Sequence, residues 1–162
     1  MTRANIVLKQ KYFPKNTYLE LGSDGYPSSI LPELIKFLVN HRNKSAEFHK
    51  DLPRVFEEIQ AGEFSDLVSN LFLKPGQVGN FSYAYEVDLI NATIKVWDST
   101  LYWVNVPEDW EEKGYMGISI GKNGKHGYTS WRKGKKLLEI TLDEILADTE
   151  LTIENETIKY KI

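Results

Sequence analysis

Ser23-Asp24-Gly25-Tyr26-Pro27-Ser28-Ser29, followed at once by the apolar run Ile30 to Val39, is the densest local signal in the chain. Asp24 hydrogen-bonds readily to the backbone ahead of it and Gly25 accepts a positive φ, so the pair makes a turn. Tyr26 is held extended by the proline that follows it. Ser28 or Ser29 is placed to cap the first free N–H groups of a helix, and Pro32 falls in its first turn, where a missing N–H costs little. Leu31, Leu34, Ile35 and Leu38 recur at three- and four-residue steps, one apolar helical face ending near Asn40 to Asn43. A strand at Thr17 to Leu21 is thus handed through a tight turn to an amphipathic helix.

Upstream, Ile6 and Leu8 alternate with Val7 and Lys9, a short strand that pairs with Thr17 to Leu21 across the loop at Phe13 to Asn16. Downstream, Ser45 to Lys50 predicts a helical turn, and Val55, Phe56 and Ile59 a second short apolar face closed by Gly62. Phe64, Leu67, Val68, Leu71 and Phe72 make a third helical face, closed by Pro75-Gly76. The period then changes. Tyr83, Tyr85, Val87 and Leu89 alternate with Glu86 and Asp88 as a strand, and Thr93 to Asp98, Leu101 to Val106 and Tyr115 to Ile120 follow as three more. Asn123-Gly124 is a strong hairpin signal leading into Tyr128 to Arg132, and Leu137 to Thr141 reads as a further strand. Thr141 with Glu144 forms a capping box that opens a short helix, Leu142 to Ala147. Leu151 to Ile153 and Ile158 to Tyr160 close the chain as a hairpin around Asn155-Glu156. The expectation is one domain over residues 1–162 of class α+β, an antiparallel sheet with an N-terminal hairpin and helices packed on one face.

Composition narrows the function classes. The chain has 162 residues, long enough to bury a core, and a net charge of −3, which argues against a surface built wholly for nucleic acid. With no cysteine, disulfides and thiolate metal sites are excluded. The first residues lead into a strand without the apolar region of a signal peptide, and no apolar run approaches transmembrane length, so a cytoplasmic protein with no membrane partner is expected.

Thr2-Arg3-Ala4-Asn5-Ile6 opening a strand, then Asp24-Gly25-Tyr26-Pro27 before an amphipathic helix, resembles a family of small bacterial and phage proteins. Members share an aromatic-Arg-His-x-Asp-Gly-Tyr-Pro signature and a later Tyr-rich strand ending in an Ile/Val-Asp pair. Tyr83-Ala84-Tyr85-Glu86-Val87-Asp88 is similar to that strand. Leu21-Gly22 replaces the family's Arg-His pair. The resemblance covers the N-terminal two thirds and implies a phage or prophage context, with expression in the host cytoplasm, more than it implies an activity.

Three constellations bear on chemistry. The turn at Asp24 to Ser28 sets free N–H groups beside a helix start, which attracts anions; turn chemistry alone explains its residue types except Tyr26. Gly121 to Lys136 carries six cations and no acid, interleaved with His126, Tyr128 and Trp131, as nucleotide phosphates and bases would want; lysines that blunt an edge strand are the competing explanation. Trp97, Trp103, Trp110 and Trp131 are either core or a stacking surface, and Trp97 shares a strand face with Thr93 and Lys95, which favours exposure. His41, His49 and His126 lack ligand spacing and read as surface residues. No Walker loop, Gly-x-Ser-x-Gly elbow or cofactor motif is present, so catalysis has no support in the sequence.

The reading that follows is a non-enzymatic binding protein of phage type that antagonises host defence by sequestering an anionic ligand such as a signalling nucleotide. Asp24, Tyr26, Trp97, Lys125, Trp131 and Arg132 are its expected ligand-binding residues, with cations on the phosphates and rings on the base. Two alternatives stay open. One is a nucleotide hydrolase with His126 or His49 as base. The other is an inhibitor of a host protein that docks through Glu108-Asp109-Trp110-Glu111-Glu112. A homodimer is compatible with exposed sheet edges.

Overall fold

Alternation along the first strand sets the centre of the sheet. In the computed structural model, which describes residues 2–10, 16–22, 24–43, 68–72 and 81–162, strand β1 (Ala4–Lys9) buries Ala4, Ile6 and Leu8 on one face and turns Asn5, Val7 and Lys9 to the other. It pairs antiparallel with β2 (Asn16–Leu21), as expected, and parallel with β4 (Tyr83–Asp88), Ile6 facing Tyr85 and Leu8 facing Val87. β3 (Val68–Phe72) lies outside β2. Beyond β4 come two long strands, β5 (Thr93–Asn105) and β7 (His126–Thr141), and the two-residue edge β6 (Ser119–Ile120). The order is β3-β2-β1-β4-β5-β7-β6, a mixed sheet curved as a half-barrel. β8 (Glu150–Ile153) and β9 (Glu156–Lys159) form a separate hairpin.

The organising turn forms where expected, but the positive φ falls on Asp24 and not on Gly25, and the helix starts at Pro27, ahead of the serines expected to cap it. Asp24 adopts φ 57° and Gly25 is buried, its N–H donating to Thr2 O at 3.0 Å while its carbonyl accepts from the Tyr85 hydroxyl at 2.6 Å. A Cβ on Gly25 would lie 2.7 Å from Ala4 Cβ, so only glycine lets the turn close on β1. Helix α1 (Pro27–Asn43) begins at Pro27, with Tyr26 O accepting from Ser29 and Ile30 N–H groups. Proline therefore takes the first helical position, Ser28 and Ser29 lie in the first turn, and Pro32 lies inside the helix. Ile30, Leu31, Leu34, Ile35 and Leu38 are buried, as the periodicity predicts. His41, read as a surface residue, is buried with its ring 4.2 Å from that of Phe37.

The expected α+β class is overturned: the described chain is mostly β, and its only two helices are α1 and the short α2 (Leu142–Leu146). Three physical differences account for this. Val68 to Phe72, counted as part of a helical face, is a strand paired with β2, because apolar spacing over five residues does not separate helix from strand and pairing decides. β1 and β4 run parallel, so the sheet is mixed and not antiparallel. The layer over α1's side of the sheet is shared with α2 and with Leu151, Ile153, Ile158 and Tyr160 of the β8–β9 hairpin, where helices were expected. The helical turn at Ser45 to Lys50 and the face at Val55 to Ile59 lie outside the described residues, as do Phe64 and Leu67.

Further along, Thr93 to Asp98 and Leu101 to Val106 merge into β5, and Tyr128 to Arg132 and Leu137 to Thr141 merge into β7. Tyr115 to Ile120 shrinks to β6. The Asn123-Gly124 turn joins β6 to β7 with Gly124 at φ 76°, and the Thr141–Glu144 capping box is formed. The closing hairpin turns at Glu154-Asn155, φ 50° and 64°, one residue before the expected pair.

Candidate functional site

A ladder of charges crosses the face of the sheet opposite α1. Alternation puts Val7, Glu86, Lys95 and Glu139 in one register row across β1, β4, β5 and β7. Glu86 is almost fully buried, yet Lys9 Nζ reaches it at 2.7 Å and Lys95 Nζ at 3.7 Å; Lys95 continues to Glu139 at 3.6 Å, and Lys136 meets Glu139 at 2.6 Å. The hydrogen bond to Glu86 raises the Lys9 pKa, and that from Lys136 lowers the Glu139 pKa. A buried carboxylate is tolerated because it is paired on both oxygens.

Next to this ladder the half-barrel closes on a cavity of about 360 Å³ whose walls include Asn5, Val7, Tyr18, Ala84, Trp131 and Lys133. β7 stands three strands from β1, which in a flat sheet is about 14 Å of separation, so curvature alone brings Trp131 and Lys133 against Asn5 and Val7. The bend has a local cause. Register slips around Trp97 to Ser99 on β5, and there Asp98 Oδ1 accepts the Lys135 N–H at 2.5 Å. Opposite, Gly134 leaves the space that Asp98 Oδ1 fills. The paired irregularity is a bulge that re-aims the second half of the β5–β7 pair.

Lys133 is the cation this arrangement leaves over. The residue is exposed, yet its Nζ lies 3.9 Å from the centroid of the Trp97 ring, and among the described residues no carboxylate lies within ion-pairing distance of it. Burial of the ammonium lowers its pKa; Lys9 and Lys95 depress it further, while Glu86 opposes them. Asn5 Oδ1, shielded from solvent, accepts no hydrogen bond among the described residues, a deficit that an entering donor would meet. The cavity thus offers a partly desolvated cation, an indole wall at Trp131 and an amide.

Of the residues expected to bind ligand, Trp131 lines the cavity and Trp97 forms the floor under Lys133. Trp97, read as exposed, is half-buried under that lysine. Arg132 points to the other face of β7, 5.2 Å over the Tyr102 ring, and Lys125 sits at the far turn, its N–H held by Asn123 Oδ1 at 3.0 Å. Asp24 and Tyr26 lie on the α1 side, Tyr26 exposed with its ring 6.4 Å from Tyr83. The Tyr83 pKa is raised, first by burial and then by the Glu154 carboxylate. Lys133, Lys135 and Lys136 stand on the β7 edge, so blunting an edge strand accounts for part of the basic run. Asn5, Tyr18 and Glu86 went unread as site residues. Alternation marks their faces, but the parallel pairing that assembles them has no sequence signal. Among the described residues no group of His, Asp and Glu could hold a metal ion, and no helix is long and apolar enough to cross a membrane. No family model, curated protein or solved structure matches the chain.

Proposed function

We propose that the chain is a non-enzymatic binding protein that holds a small anionic ligand, a nucleotide in the first instance, in the concave cavity of its sheet. The observation that carries this reading is Lys133: a cation drawn over Trp97 at the edge of a cavity, at an electrostatic cost, with no carboxylate within ion-pairing distance among the described residues. Lys9, on the same face of the sheet, is paired with Glu86, which offsets the cost of bringing charge out of water. An unpaired lysine beside an indole supplies what a phosphate and an aromatic base require. The volume lies at the lower end of the small-molecule range, about 300–1,000 Å³. The phage or prophage setting, and a role against host defence, rest on the resemblance of the Asp24-Gly25-Tyr26-Pro27 turn and the Tyr83 to Asp88 strand.

The test is the thermal shift of the purified chain with a panel of mono-, cyclic and oligonucleotides, followed by calorimetry on any hit. Trp131→Ala and Lys133→Met are expected to abolish the shift, while Lys125→Ala and Arg132→Ala keep it. A hit unaffected by the first pair overturns the assignment of the cavity. A ligand recovered intact after denaturation marks sequestration, and a cleaved one marks a hydrolase.

A further inference from the structure

Asn5 carries a hydrogen-bonding group that the fold does not use. It shares the β1 face of Val7 and Lys9, opposite α1, with Glu20 of β2 and Ala84 of β4 as its cross-strand neighbours. An asparagine amide accepts at its oxygen and donates from its NH2, and the two sit side by side at one planar end. In Asn5 the oxygen is shielded from solvent, and among the described residues neither the oxygen nor the NH2 has a hydrogen-bond partner. Other asparagines of the chain are committed: Asn91 Nδ2 donates to Asp88 Oδ2 at 2.9 Å, and Asn105 Oδ1 accepts from Trp103 Nε1 at 2.9 Å. A shielded acceptor without a donor is a cost to the fold. This one stands at the wall of the cavity of about 360 Å³, beside the short side chain of Ala84.

We infer that Asn5 reads the edge of the ligand: the cavity selects a planar heteroaromatic ring that sets an N–H donor beside an acceptor, as a nucleobase does, and the amide meets both. This rests on the nucleotide reading above and carries it from charge and stacking to the identity of the base. Stacking on Trp131 fixes the plane of a ring but not its kind, because every base has a π-face. An amide that pairs two adjacent groups on the ring edge distinguishes one base from another. The oxygen reaches an entering donor by rotation of the amide about χ2, a torsion that is broad in asparagine. Lys133 follows Trp131 by two residues on β7, roughly 7 Å along the strand, so a stacked base and its phosphate have separate partners. A phosphate that carries no such ring gains Lys133 alone and leaves Asn5 unpaired.

The test is calorimetry of the full chain with the four ribonucleoside 5′-monophosphates and with ribose 5-phosphate, which has the same sugar and phosphate and no base. The parent is expected to bind its preferred nucleotide at least about tenfold more tightly than the poorest of the four, the order of one paired base contact. Asn5→Leu is expected to bring the four together while all still bind better than ribose 5-phosphate, because Trp131 and Lys133 are untouched. Asn5→Asp replaces the donor with a second acceptor and is expected to move the preference to guanine, whose edge sets two N–H donors side by side. A purely structural asparagine would lower all affinities together and leave their order unchanged. On the parent itself, methylating the edge N–H of the preferred nucleotide is expected to cost the same factor, a result that needs no variant to fold. Four nucleotides bound alike through Trp131 and Lys133, an order of preference that survives Asn5→Leu, or a methylated ligand bound as tightly as its parent overturns the inference and leaves the nucleotide reading standing. Nucleotides that bind no better than ribose 5-phosphate overturn both.

Discussion

Folding shifts the pKa values of Lys133 and Lys9 in opposite directions, which gives the site a pH signature. Lys9 gains a hydrogen bond to Glu86 on folding, so its pKa rises above 10.5; the stability it contributes is complete below the unfolded value and is lost as pH climbs through the raised one. Lys133 loses water on folding and its pKa falls below 10.5. Between that lowered value and 10.5 the unfolded chain holds the proton more tightly, so stability due to this group increases with pH there, and below the window its cost is fully present. Lys133→Met is therefore expected to melt no lower than the parent at pH 7, with the difference between the two narrowing as pH rises through the lowered pKa. Over the same range the parent's affinity for an anion should fall. Paired melting curves from pH 7 to 11 check both; a variant that melts well below the parent at pH 7 would make Lys133 a structural residue.

At the scale of elements the bulge decides the site. A methyl on Gly134 would fall on Asp98 Oδ1 and lie 2.8 Å from Thr100 Oγ1. Asp98 must then leave the Lys135 N–H, the strands straighten, and Trp131 and Lys133 withdraw from Asn5 and Val7. Gly134→Ala is expected to cost about 1–3 kcal/mol, the range for a tight site forced to accommodate extra atoms, and to lose ligand binding more completely than stability; urea unfolding and calorimetry on one preparation separate the two. This also marks what the sequence could tell. The α1 stripe, the Asn123-Gly124 hairpin and the Thr141 capping box were legible because each is closed by residues within a few positions of one another; the Asp24-Gly25 turn was legible from residue type alone, although its hydrogen bonds reach Thr2 and Tyr85. The parallel pairing of β1 with β4 joins segments some eighty residues apart, and nothing in either strand specifies it. Asp98 opposite Gly134 is likewise a tertiary meeting of two ordinary residues. So Trp97 and Trp131 could be read as candidates from type and face alone, while Lys133, Asn5 and Glu86 acquire meaning only once the sheet has curled.

The molecule as a whole divides into a packed body and an arm without a core, the paired ends of β5 and β7 past the bulge, and the division should appear in hydrogen exchange. Ile6, Tyr85, Val87, Ile94 and Val96 are buried between the sheet and the layer formed by α1, α2 and the β8–β9 hairpin. Their amides open only with the whole fold, so their protection should match the free energy of unfolding. The arm has full backbone pairing from Ser99 to Asn105 but almost no buried side chains, so its amides open without disturbing the body. In dilute protein, Tyr102, Trp103 and Val104 are expected to exchange at least about 100-fold faster than Ile94 and Val96, the factor for a local opening some 3 kcal/mol cheaper than unfolding. Protection already equal to that of the body in dilute protein would mean that the paired ends of β5 and β7 are stabilised within one chain, and the division of the molecule would fall.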